Sequence, residues 1–292
     1  MPTMKAIKKR ISSVGNTKKI MKAMDLVSAS KLQKAKAQLD DIKPLYENIK
    51  VVMDGIKASA GHGDEMAFAE DREVKSIAYV VLSSDRGLCG GYNVNVAKKA
   101  MAQITEDQGK DEKIVAVGSK ATDYLKRRGK NVVYKCAGPS EATTFEEAEV
   151  IGNLVASMYT TGEVDEVYLV YTQFESILAH NPSIVKLLPI KEDKKEAAEE
   201  GAPAPAVSLM SYDPDISTFI EFAVPMYLNT TIFGAMIESL VCEQASRMTS
   251  MDAATRNASE ILEDLTLEYN RKRQNMITQE ITEIVSGANA VQ

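Results

Sequence analysis

Three glycines, Gly87, Gly90 and Gly91, crowd into the stretch SSDRGLCGGYN at residues 83–93, where an apolar run gives way to a helical pattern. Glycines in a strand-to-helix turn can bring backbone amides up to a phosphate, and the N-terminus of the following helix favours negative charge. The spacing matches neither the dinucleotide fingerprint nor the phosphate loop, and no Lys-Ser or Lys-Thr follows. The stretch therefore reads as a tight structural turn, with Asp85 and Arg86 available for surface pairing or for a partner. Ser83, Ser84 and Cys89 are the nucleophile types at hand, but the chain's two histidines, His62 and His180, stand apart from them and from each other. Cys89, Cys136 and Cys242 are far apart with no CxxC, which predicts reduced thiols, no disulfide framework and no metal site. No catalytic set is visible and no cofactor is expected.

Long, partner-seeking side chains form the other candidates. Lys18, Lys19 and Lys22 fall on adjacent positions of two helical turns with Met21 and Met24 beside them, a basic and adaptable surface. Gln244 and Arg247, then Arg271, Arg273 and Gln274, place hydrogen-bonding side chains along a second helix. A solvated helix flank accounts for each one individually. Charge is unevenly shared: residues 1–50 carry +8 within a chain of net charge −6. A basic arm on an acidic body admits nucleic acid, lipid or an acidic protein as partner. RNA binding is one alternative, but it calls for aromatics among the basic residues, and Tyr46 is the only aromatic in the first 60. Nucleotide binding at the Gly87–Gly91 turn is another, lacking its phosphate loop and catalytic groups.

Two long helices must position these groups. From Met4 to about Ala60 a strict 4-3 register runs through Ile7, Ile11, Val14, Lys18, Met21, Asp25, Ser28, Leu32, Ala35, Leu39, Ile42, Tyr46, Ile49, Met53 and Ile56, and twelve of the fifteen are apolar. The exceptions cluster between Lys18 and Ser28, where the helix is expected not to zip onto its neighbour but to meet something else by polar contact. Pro44 should bend this helix without ending it. Residues 215–285 repeat the pattern through Ile216, Ile220, Ala223, Tyr227, Ile237, Val241, Met248, Met251, Ala258, Leu262, Leu265, Tyr269 and Met276, with Asp213 as N-cap and Pro214 as first helical residue. At ~1.5 Å per residue the two helices would be about 85 and 105 Å long.

Between them, Gly61 to Gly63 should end the first helix and residues 64–73 form an acidic loop. Strands are expected at 76–83, 113–117, 131–136, 166–172 and 183–189, and helices at 92–108, 119–128 and 144–161. This rhythm predicts a small, mainly parallel sheet covered on both faces. Residues 191–206 are charged and then Ala/Pro-rich, the composition of a flexible linker. The division expected is 1–60, 74–190, 191–212 and 213–292. Both long helices leave one α/β domain and can pair antiparallel, so the longer must extend past the shorter. Its tip, with Ile277, Ile281, Ile284 and Val285, then needs another protein to cover it. No run approaches a membrane span, and no secretory leader is visible, so a cytosolic setting is expected.

In order along the chain, IKKRISSVGNTKKIMKAMDLVSASKL, SSDRGLCGGYN, ESLVCEQASRMTSMDAATRNASEI and ITQEITEIVSGANAV resemble the blocks of the gamma-subunit family of F-type ATP synthases. The last is that family's signature. The resemblance implies an α/β fold class: a long antiparallel coiled coil of N- and C-terminal helices plus a small Rossmann-like, mainly parallel domain. It implies a rotating shaft without catalytic residues, inside three alpha and three beta subunits, seated with epsilon on a membrane rotor c-ring. Lys18, Lys19, Lys22 and Met24, with Gln244 and Arg247, would approach the moving acidic lobe of beta. Arg273 and Gln274 would hydrogen-bond a beta loop, and Ile277, Ile281, Ile284 and Val285 would turn in an apolar sleeve. The turn with Asp85, Arg86, Gly87, Gly90 and Gly91 would face the rotor and epsilon. The start at the family's first block, with no transit peptide, implies a bacterial protein at the cytoplasmic face of the cell membrane, with no nucleic-acid partner and no membrane span of its own.

Overall fold

The computed structural model describes residues 3–59, 73–190 and 216–290. The helix stop at Gly61–Gly63, nearly all of the acidic loop, the linker and the Asp213–Pro214 cap lie outside them. The elements are α1 (Met4–Ser59), β1 (Ser76–Leu82), α2 (Tyr92–Glu106), β2 (Asp111–Val117), α3 (Ser119–Lys126), β3 (Val132–Cys136), α4 (Phe145–Thr160), β4 (Glu166–Phe174), β5 (His180–Leu188) and α5 (Ile216–Ala290). They form two compact units, one of Ser30–Ser246 and one of Met1–Ala29 with Arg247–Gln292.

In the first unit the sheet order is β3-β2-β1-β4-β5. β3, β2, β1 and β4 are parallel, while β5 returns antiparallel beside β4. Only five residues, 175–179, separate β4 from β5, too few for a crossover, so a hairpin is the only pairing open to them. The central strands are apolar on both faces because both are covered. Ala78, Val80 and Leu82 of β1 pack with Ile151 and Val155 of α4 and with Leu228 and Ile232 of α5. Ile77, Tyr79 and Val81 pack with Val96 and Ala100 of α2 and with Leu125 of α3.

The α5 segment in this unit departs from expectation. A single apolar seam was expected, but between Ala223 and Ser246 most side chains are buried whatever face they occupy. α5 is enclosed here by several neighbours at once. Gly152 of α4 lies against Asn229, Tyr46 of α1 lies over Gly234, and the Cys242 thiol donates to the Thr172 carbonyl of β4. A Cβ on residue 152 would collide with Asn229 Oδ1, which is why a glycine stands there. Tyr46 meets Gly234 while Lys43, one turn earlier on α1, stands near Glu238, one turn later on α5, so the helices run antiparallel.

The second unit keeps the narrow seam. Its buried residues on α1 are Ile7, Asp25 and Ser28, and on α5 Arg247, Met251, Ala258 and Leu265, the last three at intervals of seven. The polar window is therefore not open as expected: Asp25 is 9% and Ser28 2% exposed. Asp25 is held by Lys22 Nζ at 2.9 Å, a bond that keeps its charge satisfied at the edge of the seam. Beyond Tyr269 the α5 side chains emerge, and Met276, expected on the seam, is exposed.

Candidate partner-contact sites

The turn after β1 is built from side chains that bond backbone. Ser83 Oγ donates to the Val117 carbonyl at 3.1 Å and accepts from the Ala121 amide at 3.0 Å. Asn93 Oδ1 accepts from the Ser84 amide at 2.9 Å, and Ser84 Oγ donates to the Arg86 carbonyl at 2.7 Å. Asp85 bridges two further loops: Oδ1 accepts from the Ser119 amide, the first of α3, at 2.8 Å, and Oδ2 accepts from the Gly138 amide at 2.9 Å. Amides at a helix start and in a loop beyond a parallel strand are the donors a phosphate would use. Here a carboxylate of the chain itself takes both, so neither of these two amides is left for a phosphate.

The glycines are deployed differently from a phosphate cradle. Of the three, only Gly90 has positive φ, and Leu88, at φ 63°, supplies the other left-handed residue. Beneath them Cys89, Tyr92, Cys242 and Phe174 form a small cluster, and Ser246 Oγ donates to the Cys89 carbonyl at 2.7 Å. Burial, with Glu238 nearby, pushes the Cys242 thiol far above its ordinary value. Burial likewise raises Cys136 to about 11. Neither forms a thiolate near neutrality, so neither is a nucleophile. Asp85, Arg86, Gly87 and Leu88 are exposed.

The other candidates do not gather into one site. Lys18 and Met24 are half-buried and Lys19 and Lys22 exposed on α1, with Lys22 engaged by Asp25. Gln244 and Arg247, expected at a beta contact, are 5% and 7% exposed, which sets aside the alternative of a solvated flank for these two. Gln244 Oε1 is buried without a hydrogen-bond partner. Arg271, Arg273 and Gln274 are exposed, and Ile277, Ile281, Ile284 and Val285 are 47 to 71% exposed on the last turns of α5. Three residues escaped the sequence reading: Ile20, Leu26 and Val27, all more than half exposed on α1 beside the lysines. Their signal was present, as apolar residues lying off the 4-3 register.

Comparison with known proteins identifies the assembly these surfaces belong to. The family model described as ATP synthase matches residues 3–291. The ATP synthase gamma chain of Desulforamulus reducens is 40% identical over 292 residues, covering all of both chains. That of Alkaliphilus metalliredigens is 40% identical over 290 residues, 99% of this chain and 98% of its own. In structure, a chain of the Euglena gracilis mitochondrial ATP synthase (OSCP/F1/c-ring) aligns at TM-score 0.68 and 17% identity, covering 99% of this chain and 94% of its own. Among these the RNA-binding alternative finds no support. Full-length agreement with curated bacterial relatives, on a fold of two long helices around a five-stranded sheet, shows that this chain belongs to the ATP synthase gamma family.

Proposed function

We infer that this chain is the central rotating shaft of an F-type ATP synthase, coupling ion-driven rotation of the rotor to ATP synthesis and hydrolysis at sites on the beta subunits. It is a non-catalytic subunit that acts by contact. The observation that carries the reading is the bare end of α5: Ile277, Ile281, Ile284 and Val285 are exposed on a helix whose earlier turns are covered. Apolar side chains in that number favour a protein sleeve over water. A single shaft in a ring of three alpha and three beta subunits presents a different face to each beta. Rotation can exchange their conformations because those faces meet open and closed states with different free energies.

Lys18, Lys19, Lys22 and Met24 supply one such face towards the acidic lobe of beta, and the exposed Ile20 and Val27 extend it with apolar area. Arg273 and Gln274 supply another, exposed and free to reach a beta loop. Buried Gln244 and Arg247 act from beneath, fixing the helix surface. Epsilon and the membrane c-ring take the α/β part, and the four-part division at residues 1–60, 74–190, 191–212 and 213–292 follows this division of labour. The turn at 85–91 was expected on the epsilon and rotor side. In this reading its exposed residues Asp85, Arg86 and Gly87 offer that contact surface. Among the described residues no helix is long and apolar enough to cross a membrane, which suits a peripheral protein on the cytoplasmic face of a bacterial membrane.

The test is reconstitution with alpha and beta subunits of the same organism. One copy of this chain per three alpha-beta pairs, with Mg-ATP hydrolysis absent from either preparation alone, is the expected result. Failure to form a complex would overturn the reading. Within the complex, Arg273→Ala with Gln274→Ala should lower coupled turnover while leaving the fold intact by circular dichroism.

A further inference from the structure

A cavity of about 410 Å³ lies inside the α/β unit, between the 36–46 segment of α1, the end of β4 and the 231–238 segment of α5. Leu169 and Ala235 give it apolar walls. Its size is that of a pocket for a small organic molecule. Two polar groups converge on it. Thr231 is 3% exposed, and its hydroxyl is buried with no hydrogen-bond partner, an arrangement a folded chain tolerates at a cost. Glu238 accepts the Phe174 amide at 2.8 Å through Oε1, and Lys43 stands near its carboxylate. None of this is needed for a shaft: neither group lies on the bare tip nor on the basic face of α1.

The charges around the cavity select the ligand. Asp40, Glu175 and Glu238 line it against Lys36 and Lys43, and both lysines are exposed while Glu238 is half-buried. The wall supplied by α5 therefore carries a carboxylate and an unpaired hydroxyl, acceptors suited to a cationic ligand. We propose that this cavity is a binding site for a small organic amine, its ammonium held between Glu238 and Thr231 and its apolar body against Leu169 and Ala235. Burial pushes the Glu238 carboxyl above its ordinary value, with the Phe174 amide and Lys43 opposing, so an incoming ammonium adds to the counter-charge that Lys43 supplies in part.

Phenethylamine is the probe, with 2-phenylethanol and phenylacetate as neutral and anionic controls, titrated into the full chain and followed by the methyl signals of Leu169 and Ala235. Saturable shifts with the amine, and binding at least about tenfold weaker for the alcohol and the acid, are expected. Glu238→Gln should erase the preference for the amine, and Thr231→Val should weaken its binding about threefold or more. Ala235→Phe fills the space and should abolish binding; if that variant does not fold, Ala235→Leu should reduce it. Absence of saturable shifts, equal binding of amine and alcohol, or full amine affinity in Glu238→Gln would each overturn the proposal. None of these outcomes bears on assembly with alpha and beta, so the shaft reading stands or falls separately.

Discussion

The same helix, α5, is treated in two ways along its length. From Ala223 to Ser246 it is enclosed by sheet, by α4 and by α1, and residues of every face are buried. From Met248 to Tyr269 it is covered along one stripe only, with Met251, Ala258 and Leu265 as its deepest points, and after Arg271 hardly at all. The helix runs unbroken through all of these regions, so the difference is one of tertiary burial. The first region is specified by the chain's own core. The last is left uncovered by the chain, with apolar side chains that favour a partner's surface over water.

That contrast can be broken most severely in the α/β unit. Gly118 sits at φ 94° with the Ser83 carbonyl where a Cβ would go, so Gly118→Ala combines backbone strain with a collision. A loss of about 4 kcal/mol is expected in urea unfolding, from roughly 1–3 for each effect. Leu228→Ala, at a fully buried position on α5, should cost about 3 kcal/mol. Leu265→Ala, at a buried point of a single narrow seam, should cost about 2 kcal/mol or less; equal losses at the two sites would erase the distinction between the regions. Ile281→Ala with Ile284→Ala should change stability by less than about 0.5 kcal/mol, because both side chains are already in water, yet should impair coupled turnover in the assembled enzyme.

The smallest expected effect concerns pH. Burial tends to raise the Asp107 carboxyl, but hydrogen bonds from Tyr79 at 2.7 Å, Gln103 at 3.0 Å and Lys110 at 3.1 Å outweigh it and hold the group below its ordinary 3.8. A depressed folded value means stability that is complete above that ordinary value and lost as pH falls through the lower one. Asp107→Asn should flatten the acid limb of urea midpoints measured downwards from about pH 5. Unfolding of the α/β unit should show the change, since all four residues belong to it.

The seam of α1 was fully legible. Every buried α1 residue among those described, Ile7, Asp25, Ser28, Leu32, Ala35, Ile49 and Met53, lies on the 4-3 register. What periodicity could not say was that Asp25 and Ser28 would be covered, because burial of a polar residue depends on the neighbour brought to it and not on its own type. On α5 the register was right but too narrow. The signal for all-round burial was composition: from Phe222 to Ser246 only Glu238 and Glu243 are charged. That scarcity also marks Gln244 and its neighbours as interior. Strand order was not among the sequence expectations; the antiparallel return of β5 follows from the five residues that separate it from β4 in the fold. The role of Asp85 did not, since Ser119 and Gly138 are 34 and 53 residues away in sequence.

Asp85 has one more consequence. A machine part that spends its life surrounded by ATP and ADP must not be slowed by them, yet a parallel sheet with a glycine-bearing first turn is the architecture on which nucleotides settle. By lodging its own carboxylate on the Ser119 and Gly138 amides, the chain fills from within two of the donors such a ligand would seek. The shaft holds, on those two amides, a stand-in for the fuel's own negative charge.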